Sequence, residues 1–523
     1  MKRRSFLKAV SAVTIPVTVD NMSLSALAPQ NAFARLLAMA TATDHVVVII
    51  DLNGGNDGLN TVIPLDQYSN LSLARNNVLI PEGKVLSLSG TNKTGLHPSL
   101  NGLRNLYNNG KLHIVQNVGY DNQNFSHFRS SDIWFTASDS DEYLSSGLAG
   151  RYLNMEYPGF PNGYPNVDVP DPLGIQVGSL LSVFFQGPSA QMGIAINNPD
   201  DVFNLVPGIS DAAPGGYPGD QLSYIRVVAQ QTSSYTKTIS DAAKKVTSQG
   251  TYPNTDLARQ LKVVAKLIAG GLKTRLYMVS MSGFDTHSVQ TEKSDTTKGI
   301  HANLLTTLND AIVAFQSDIE GLGVADRVVG MTVSEFGRRI KSNDSQGTDH
   351  GSAAPQFVFG KPVDGGKISG NNPVIPSTVT VDDNLNKEFD YRSLYTTLLR
   401  DWLCLSDTDV ETVLQKQFDV LPFIKNSCST SNVHRLRYEG IQLVSCWPNP
   451  FSSEVQLNYK GDGSHTIVEL TDYSGKLIMK LVDEDPAAGD HIKRFNLGHL
   501  PSGQYILRYI SLHNMQSVFV TKV

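Results

Sequence analysis

The stretch 44–60, DHVVVIIDLNGGNDGLN, runs five apolar residues (46–50) directly into an acid, Asp51, and then into a loop of glycine, asparagine and aspartate. An unbroken apolar run of this length predicts a strand buried on both faces, as in a parallel sheet. Such runs then alternate with stretches of helical period as far as residue 425. HPSLNGLRNLYNNGK reads as a helix stopping at Gly110, and LHIVQNVG as the next strand. NTDLARQLKVVAKLIAGG sets Leu257, Leu261, Ala265 and Ile268 on one face, with Asn254 or Thr255 as cap and Gly270 and Gly271 as the stop. TRLYMVSMSG is a strand, HANLLTTLNDAIVAFQSDIEGLG a helix, DRVVGMTVSEFG a strand and FDYRSLYTTLLRDWLCL a late amphipathic helix. Strand, helix, strand over 44–425 predicts an α/β fold, a doubly wound, mostly parallel sheet with helices on both faces. The stretch 156–220, rich in Gly, Pro and Asp, reads as a loop insertion.

From about residue 441 the period changes to two. CWPNPFSSEVQLNY alternates Val455, Leu457 and Tyr459 with polar residues, the pattern of a half-buried strand. TIVELTDYSGKLIMKL reads as two strands joined by a hairpin turn at Tyr473-Ser474-Gly475-Lys476, and LPSGQYILRYI and SVFVTKV add two more. Residues 441–523 therefore predict a small C-terminal antiparallel β-sandwich, without any cluster of catalytic residue types.

The N-terminus has a third texture. Lys2, Arg3 and Arg4 precede Ser5-Phe6-Leu7-Lys8 and an apolar run over 9–19, too short to span a bilayer comfortably. Arg-Arg-x-Phe-Leu-Lys looks like a twin-arginine export signal, and Ala32-Phe33-Ala34 fits a cleavage site, so 1–34 is expected to be a signal peptide. No later apolar run is long enough to be a transmembrane segment.

Composition agrees with a folded chain of about two to four domains: 523 residues, 40% hydrophobic and 18% charged. A net charge of −6 gives no reason to expect a nucleic-acid partner. The three cysteines, Cys404, Cys428 and Cys446, lack the spacing of a zinc site; Cys428 and Cys446 could pair in an oxidising compartment, or all three could be free.

In open α/β sheets, ligands sit beyond the carboxyl ends of the strands. Those ends carry the polar residues: Asp51; Ser126 and His127 in FSHF; Asp285 and His287 in GFDTHS; Glu335 in SEFGRR; and Asp349 and His350 in GTDHG. Each alone reads equally well as a cap, a turn or a surface group. Together, carboxylates and imidazoles at strand ends suit a divalent ion, zinc, manganese, calcium or magnesium. The glycines at 54, 55 and 58 would let the backbone approach a bound oxyanion. Arg338 or Arg339 could clamp an anion, and Ser126 at a helix start could attack one.

Two resemblances sharpen this reading. Pro448-Asn449-Pro450-Phe451, Asp472-Tyr473-Ser474-Gly475-Lys476 and Leu500-Pro501-Ser502-Gly503-Gln504-Tyr505 resemble the C-terminal sorting domain of the type-nine (Por) secretion system of Bacteroidetes. The set DLNGGNDGLNTVIP, LHPSL, FSHF, GFDTHS, SEFGRR and GTDHG resembles the fifteen-oh-one domain-of-unknown-function family, placed in the alkaline phosphatase-like superfamily. That resemblance implies one metal on Asp285, His287 and His350, and a second on Asp51, Ser126 and the Glu335 region, completed by Asp57, His127 or Asp349. Glu335-Phe336 departs from the superfamily's Asp-His at that strand end, which puts the second ion in doubt. The resulting expectation is an exported metal-dependent hydrolase of phosphate or sulfate esters, passing through the periplasm to the cell surface by the twin-arginine and type-nine machinery. Its substrate would be a small anionic ester or a polysaccharide. The alternative is a non-catalytic surface protein binding glycans or peptides on a hydrolase-like scaffold.

Overall fold

Residues 46–52 are buried on both faces, and the strand they form is the axis of the larger of two compact units, Asp44–Pro214 with Asp220–Ser429. In this computed structural model the described residues are 14–19, 22–27, 43–161, 164–178, 180–196, 235–425, 428, 444–461, 463–472, 477–511 and 515–523. The sheet contains β1 (Val46–Asn53), β2 (Leu112–Gly119), β3 (Gly174–Val177), β4 (Ile194–Ile196), β5 (Leu276–Ser282), β6 (Val328–Val333), β7 (Ala354–Phe359), β8 (Lys367–Ser369) and β9 (Phe389–Asp390). Their order is β8-β2-β7-β6-β1-β5-β3-β4, with β9 also beside β2. β7 runs antiparallel to both its neighbours, and every other pair in this sheet is parallel.

Alternate residues of β1 face opposite layers, the period-two consequence of the strand pleat. Val46, Val48, Ile50 and Leu52 share a core with helices Asn101–Asn108, Asp256–Ala269 and Ile300–Gly321. Val47 and Ile49 share the opposite core with His127–Thr136, Leu148–Glu156 and Tyr391–Thr397. The expected doubly wound, mostly parallel sheet is therefore present. Of the two caps weighed for the helix Asp256–Ala269, Thr255 is the one used: its side chain accepts the Ala258 N–H.

Three readings need correction. The stretch 156–220 is not a plain loop insertion, because it contributes β3 and β4 to one edge of the sheet. Strands of three or four residues are too short to display a period. The late helix buries every residue over Tyr391–Thr397, with Arg392 paired to Asp390 and Asp139, and shows a polar side to solvent only in its last turn, Leu398–Trp402, where Arg400 is exposed. Before that turn the chain covers its polar face as well as its apolar one. Cys428 pairs with Cys404, 24 residues away, rather than with Cys446. Cys446 lies in the strand Val444–Trp447 of the smaller unit, where burial pushes its thiol up to about 11.

In that smaller unit the described residues of 444–523 form two antiparallel sheets around one core. One orders Val444–Trp447, Glu454–Gly461 and Gly489–Asn496; the other orders Leu477–Glu484, Thr466–Asp472, Gly503–Ser511 and Met515–Lys522. Val455, Leu457 and Tyr459 are buried as their alternation predicts, with Val468, Leu470, Leu507 and Tyr509 in the same core. The hairpin turn expected at 473–476 lies outside the described residues, although the strands flanking it do pair antiparallel. Most of the expected signal peptide and its cleavage site also lie outside them; Thr14–Val19 and Met22–Leu27 pair antiparallel. Among the described residues, no helix is long and apolar enough to cross a membrane.

The cysteine pairing makes a direct prediction. When the chain is denatured without reductant and treated with a thiol-specific label, only Cys446 should be modified, and all three cysteines should be modified after reduction.

Candidate metal centre

Asp51 is in register with Ser280 of β5 and Val333 of β6, so the loops that leave these three strands start side by side. Two glycines let them interleave. A Cβ on Gly54 (φ +121°) would lie 2.4 Å from the Asp285 nitrogen, and one on Gly55 (φ +79°) would lie 2.3 Å from the Phe336 ring. The glycine loop thus makes room for protein rather than for an oxyanion: the Gly54 N–H donates to Glu335 Oε1 at 2.8 Å. Arg338 is buried beneath, donating to the carbonyls of Gly54, Gly55, Phe284 and Thr348 and to Asp285 Oδ1.

Above this arginine, three imidazoles surround one carboxylate. Each has its Nδ1 beside an oxygen acceptor: Glu335 Oε1 for His127 (2.8 Å), Asp349 Oδ1 for His287 (2.9 Å) and the Phe125 carbonyl for His350 (2.8 Å). With the proton on Nδ1, every Nε2 presents a lone pair, and every Nε2 is close to Asp285. The distances are 3.4 Å from His127 to Oδ2, and 3.1 Å from His287 and 3.0 Å from His350 to Oδ1. Holding a ring through Nδ1–H so that Nε2 is free is how proteins prepare histidine as a metal ligand. The ligand atoms of His127, Asp285 and His350 lie within 4.8 Å of one another. His287 Nε2 and His350 Nε2 are 2.9 Å apart, so with both Nδ1 protons committed their lone pairs oppose each other unless a cation or proton lies between them. The donor set fits a divalent ion on these grounds.

The electrostatics fit as well. Burial raises the Asp285 carboxyl, but the hydrogen bond and the charge of Arg338 lead the contacts that outweigh it, holding the group at about 2. Burial lowers His350 despite the Asp285 and Phe125 oxygens beside its two ring nitrogens, which favours the neutral, ligating ring. Burial and then the charge of Glu335 push Asp51 up to about 8. Glu335 is 3% exposed, and its Oε2 is buried without a hydrogen-bond partner among the described residues. This second pair of carboxylates needs a proton or a cation to balance it.

Of the residues singled out from the sequence, His127, Asp285, His287 and His350 come together with Nε2 and carboxylate atoms converging. Asp349 and Glu335 stand behind His287 and His127, and Asp51 lies deeper beside Glu335. Ser126 is exposed at the start of the helix His127–Thr136, and no hydrogen bond among the described residues joins its side chain to the cluster. Arg338 has its donors committed to the loops, and Arg339 donates to the His350 carbonyl and packs over Phe125. Asp57 is bonded to Arg75 and Gln290. Asn343, which bonds both Asp349 and the His287 carbonyl, was not anticipated: SNDSQG reads only as a turn. Phe336, packed against His127 and His350, was also missed, although it sits inside the quoted SEFG motif.

Residues 228–418 match the family described as "Protein of unknown function (DUF1501)", and residues 445–522 match the "Secretion system C-terminal sorting domain". No curated protein matches the chain in sequence. Similar solved structures include a Bacteroides thetaiotaomicron protein from work on its metabolism of multiple glycosaminoglycans, at 8% identity, 91% of this chain, 89% of that one and a TM-score of 0.34. Another is a protein in the alkaline phosphatase superfamily from Vibrio parahaemolyticus, at 9% identity, 90% of this chain, 78% of that one and a TM-score of 0.32. A third is Ps i-CgsB in complex with a neocarrahexaose, at 11% identity, 72% of each chain and a TM-score of 0.31.

Two predictions follow from this geometry. Gly54→Ala forces a side chain into the Phe284–Asp285 backbone at a positive φ; it should cost more than about 1 kcal/mol by urea denaturation and reduce metal retention. Beneath the site, burial above all lowers His97 to about 3 and His301 to about 4, whereas both titrate near 6.5 when unfolded. Between pH 6.5 and 4 the unfolded chain therefore binds protons that the native chain does not. Stability should fall with falling pH by up to about 1.4 kcal/mol per unit for each histidine, read from urea midpoints at pH 7 and pH 5.

Proposed function

We propose that this protein is an exported, metal-dependent hydrolase of phosphate or sulfate esters. The observation that carries this reading is the convergence of three histidine Nε2 atoms on Asp285, each ring oriented through its Nδ1. His127, Asp285, His287 and His350 would hold the ion. Glu335, Asp349 and the Phe125 carbonyl orient the rings, and Arg338 keeps Asp285 ionised and in place. A divalent ion here would supply Lewis-acid polarisation of an ester oxygen. Asp51 holds a proton near neutral pH beside Glu335 unless a second cation takes its place. Ser126, at the helix start next to His127, is the candidate nucleophile. The sorting-domain match supports delivery to the cell surface, and the twin-arginine-like start supports a first step across the inner membrane.

A second reading is a surface protein that binds a ligand without turnover. Two observations favour it: Arg338 is buried with its guanidinium bonded to loop carbonyls and Asp285, and no hydrogen bond among the described residues joins the Ser126 side chain to the cluster.

The test is the metal content of the full chain, purified without chelator and measured by inductively coupled plasma mass spectrometry, followed by assays with p-nitrophenyl phosphate and p-nitrophenyl sulfate. About one ion per chain is expected, lost in His287→Ala/His350→Ala along with ester hydrolysis. Retained metal with no turnover of either ester would favour the binding reading. A folded chain that takes up no zinc, manganese, calcium or magnesium on reloading would overturn both the centre and the hydrolase.

A further inference from the structure

Beside the same strand end the larger unit carries a second feature, half open to solvent, that the metal centre does not use. It is a cavity of about 850 Å³ between the helix Asp256–Ala269 and the carboxyl ends of β3 and β5. That volume lies within the range of about 300–1,000 Å³ common for organic ligands and far exceeds the need of an inorganic ion. Gln260 shapes the wall by bonding both the N–H and the carbonyl of Ser280, which fastens the helix to β5.

The charge on the wall is unbalanced. Asp256 is already paired with Arg259, which also donates to Asn254. Lys262 and Lys266 remain, one helical turn apart, and among the described residues neither ammonium has a hydrogen-bond or ion-pair partner. Like charges at this spacing repel, and an anion between them would relieve the repulsion. Val263 and Met281 add apolar surface, while Ser282 and Thr307 add hydroxyls. Among the described residues no aromatic ring lines the cavity, so they offer no platform for stacking a nucleobase. A lysine ammonium is a compact point charge without the forked geometry of arginine, and it accepts a sulfate or a carboxylate equally.

We propose that this cavity binds an anionic saccharide. Lys262 and Lys266 neutralise its sulfate or carboxylate groups, Ser282 and Thr307 bond its hydroxyls, and Val263 and Met281 cover the apolar faces of its rings. Ser282 lies three residues before Asp285, so a chain held here is anchored on the strand end that carries the metal centre. The binding itself does not depend on the hydrolase reading.

The experiment is isothermal titration calorimetry of the full chain with three hexasaccharides: chondroitin sulfate, hyaluronan as the carboxylate-only arm, and neutral cellohexaose. At least one anionic hexasaccharide should bind, about ten-fold or more tighter than cellohexaose. That affinity should fall about ten-fold or more in Lys262→Ala/Lys266→Ala and weaken with salt, while persisting in His287→Ala/His350→Ala. Equal affinity in the lysine variant, or no binding of either anionic hexasaccharide to the unaltered chain, would overturn the proposal. Binding abolished in the histidine variant but kept in the lysine variant would assign the saccharide to the metal centre instead. Tighter binding of an oligothymidylate would overturn the saccharide class.

Discussion

The candidate centre depends on one buried guanidinium. Arg338 is 1% exposed, yet it touches the loops that follow β1 and β5 and the segment that returns to β7. Its donors reach Gly55 O and Thr348 O at 2.7 Å, Phe284 O at 2.9 Å, Gly54 O, and Asp285 Oδ1 at 2.9 Å. A planar fork of five N–H groups suits such a hub, because its directions are fixed once the ring of acceptors forms. Taking the charge out of water is tolerable because Asp285 supplies the counter-charge and four carbonyls take up donors. The same contact that neutralises Arg338 keeps Asp285 ionised and facing the imidazoles.

A second tier holds the hub. Asp57 is fully buried and accepts two hydrogen bonds from Arg75, while Arg75 also donates to the carbonyls of Ile340 and Arg339. Burial would raise Asp57, but the charges of Arg75 and His301, with hydrogen bonds from Arg75 and Gln290, hold it below the usual carboxylate range. The strand that carries Arg338 is thus tied down from below, and the ring carriers above inherit its position. Rigid placement of this kind is what a metal site requires of the residues behind its ligands.

Much of the fold was legible because burial leaves a period in the chain. The run at 46–50, the face Leu257, Leu261, Ala265 and Ile268, and the alternation Val455, Leu457, Tyr459 each appear in the structure as read. What escaped had no period to show. β3 and β4 are too short, and the strand Gly489–Asn496 has no fully buried residue among its eight. The late helix is amphipathic only in its last turn, because over Tyr391–Thr397 the chain buries its polar side chains too. At the site, the candidate ligand types were visible at the strand ends, but their division of labour was not. Asp349 and Glu335 look like ligands in sequence and in space lie beside the Nδ1 atoms of His287 and His127, and Asn343 looks like a turn residue and bonds Asp349.

The sequence by itself determined the two periods, the strand-end chemistry and the motifs at either terminus, because each follows from residues close together in the chain. Tertiary structure alone decided which Nε2 atoms meet, which carboxylates stand behind them, that Cys404 takes Cys428, and that Arg338 faces inward to carbonyls. These depend on groups 10 to 284 residues apart in sequence. Local preference carries no information about such distances; the close approach of β1, β5 and β6, allowed by glycine at 54 and 55, sets them.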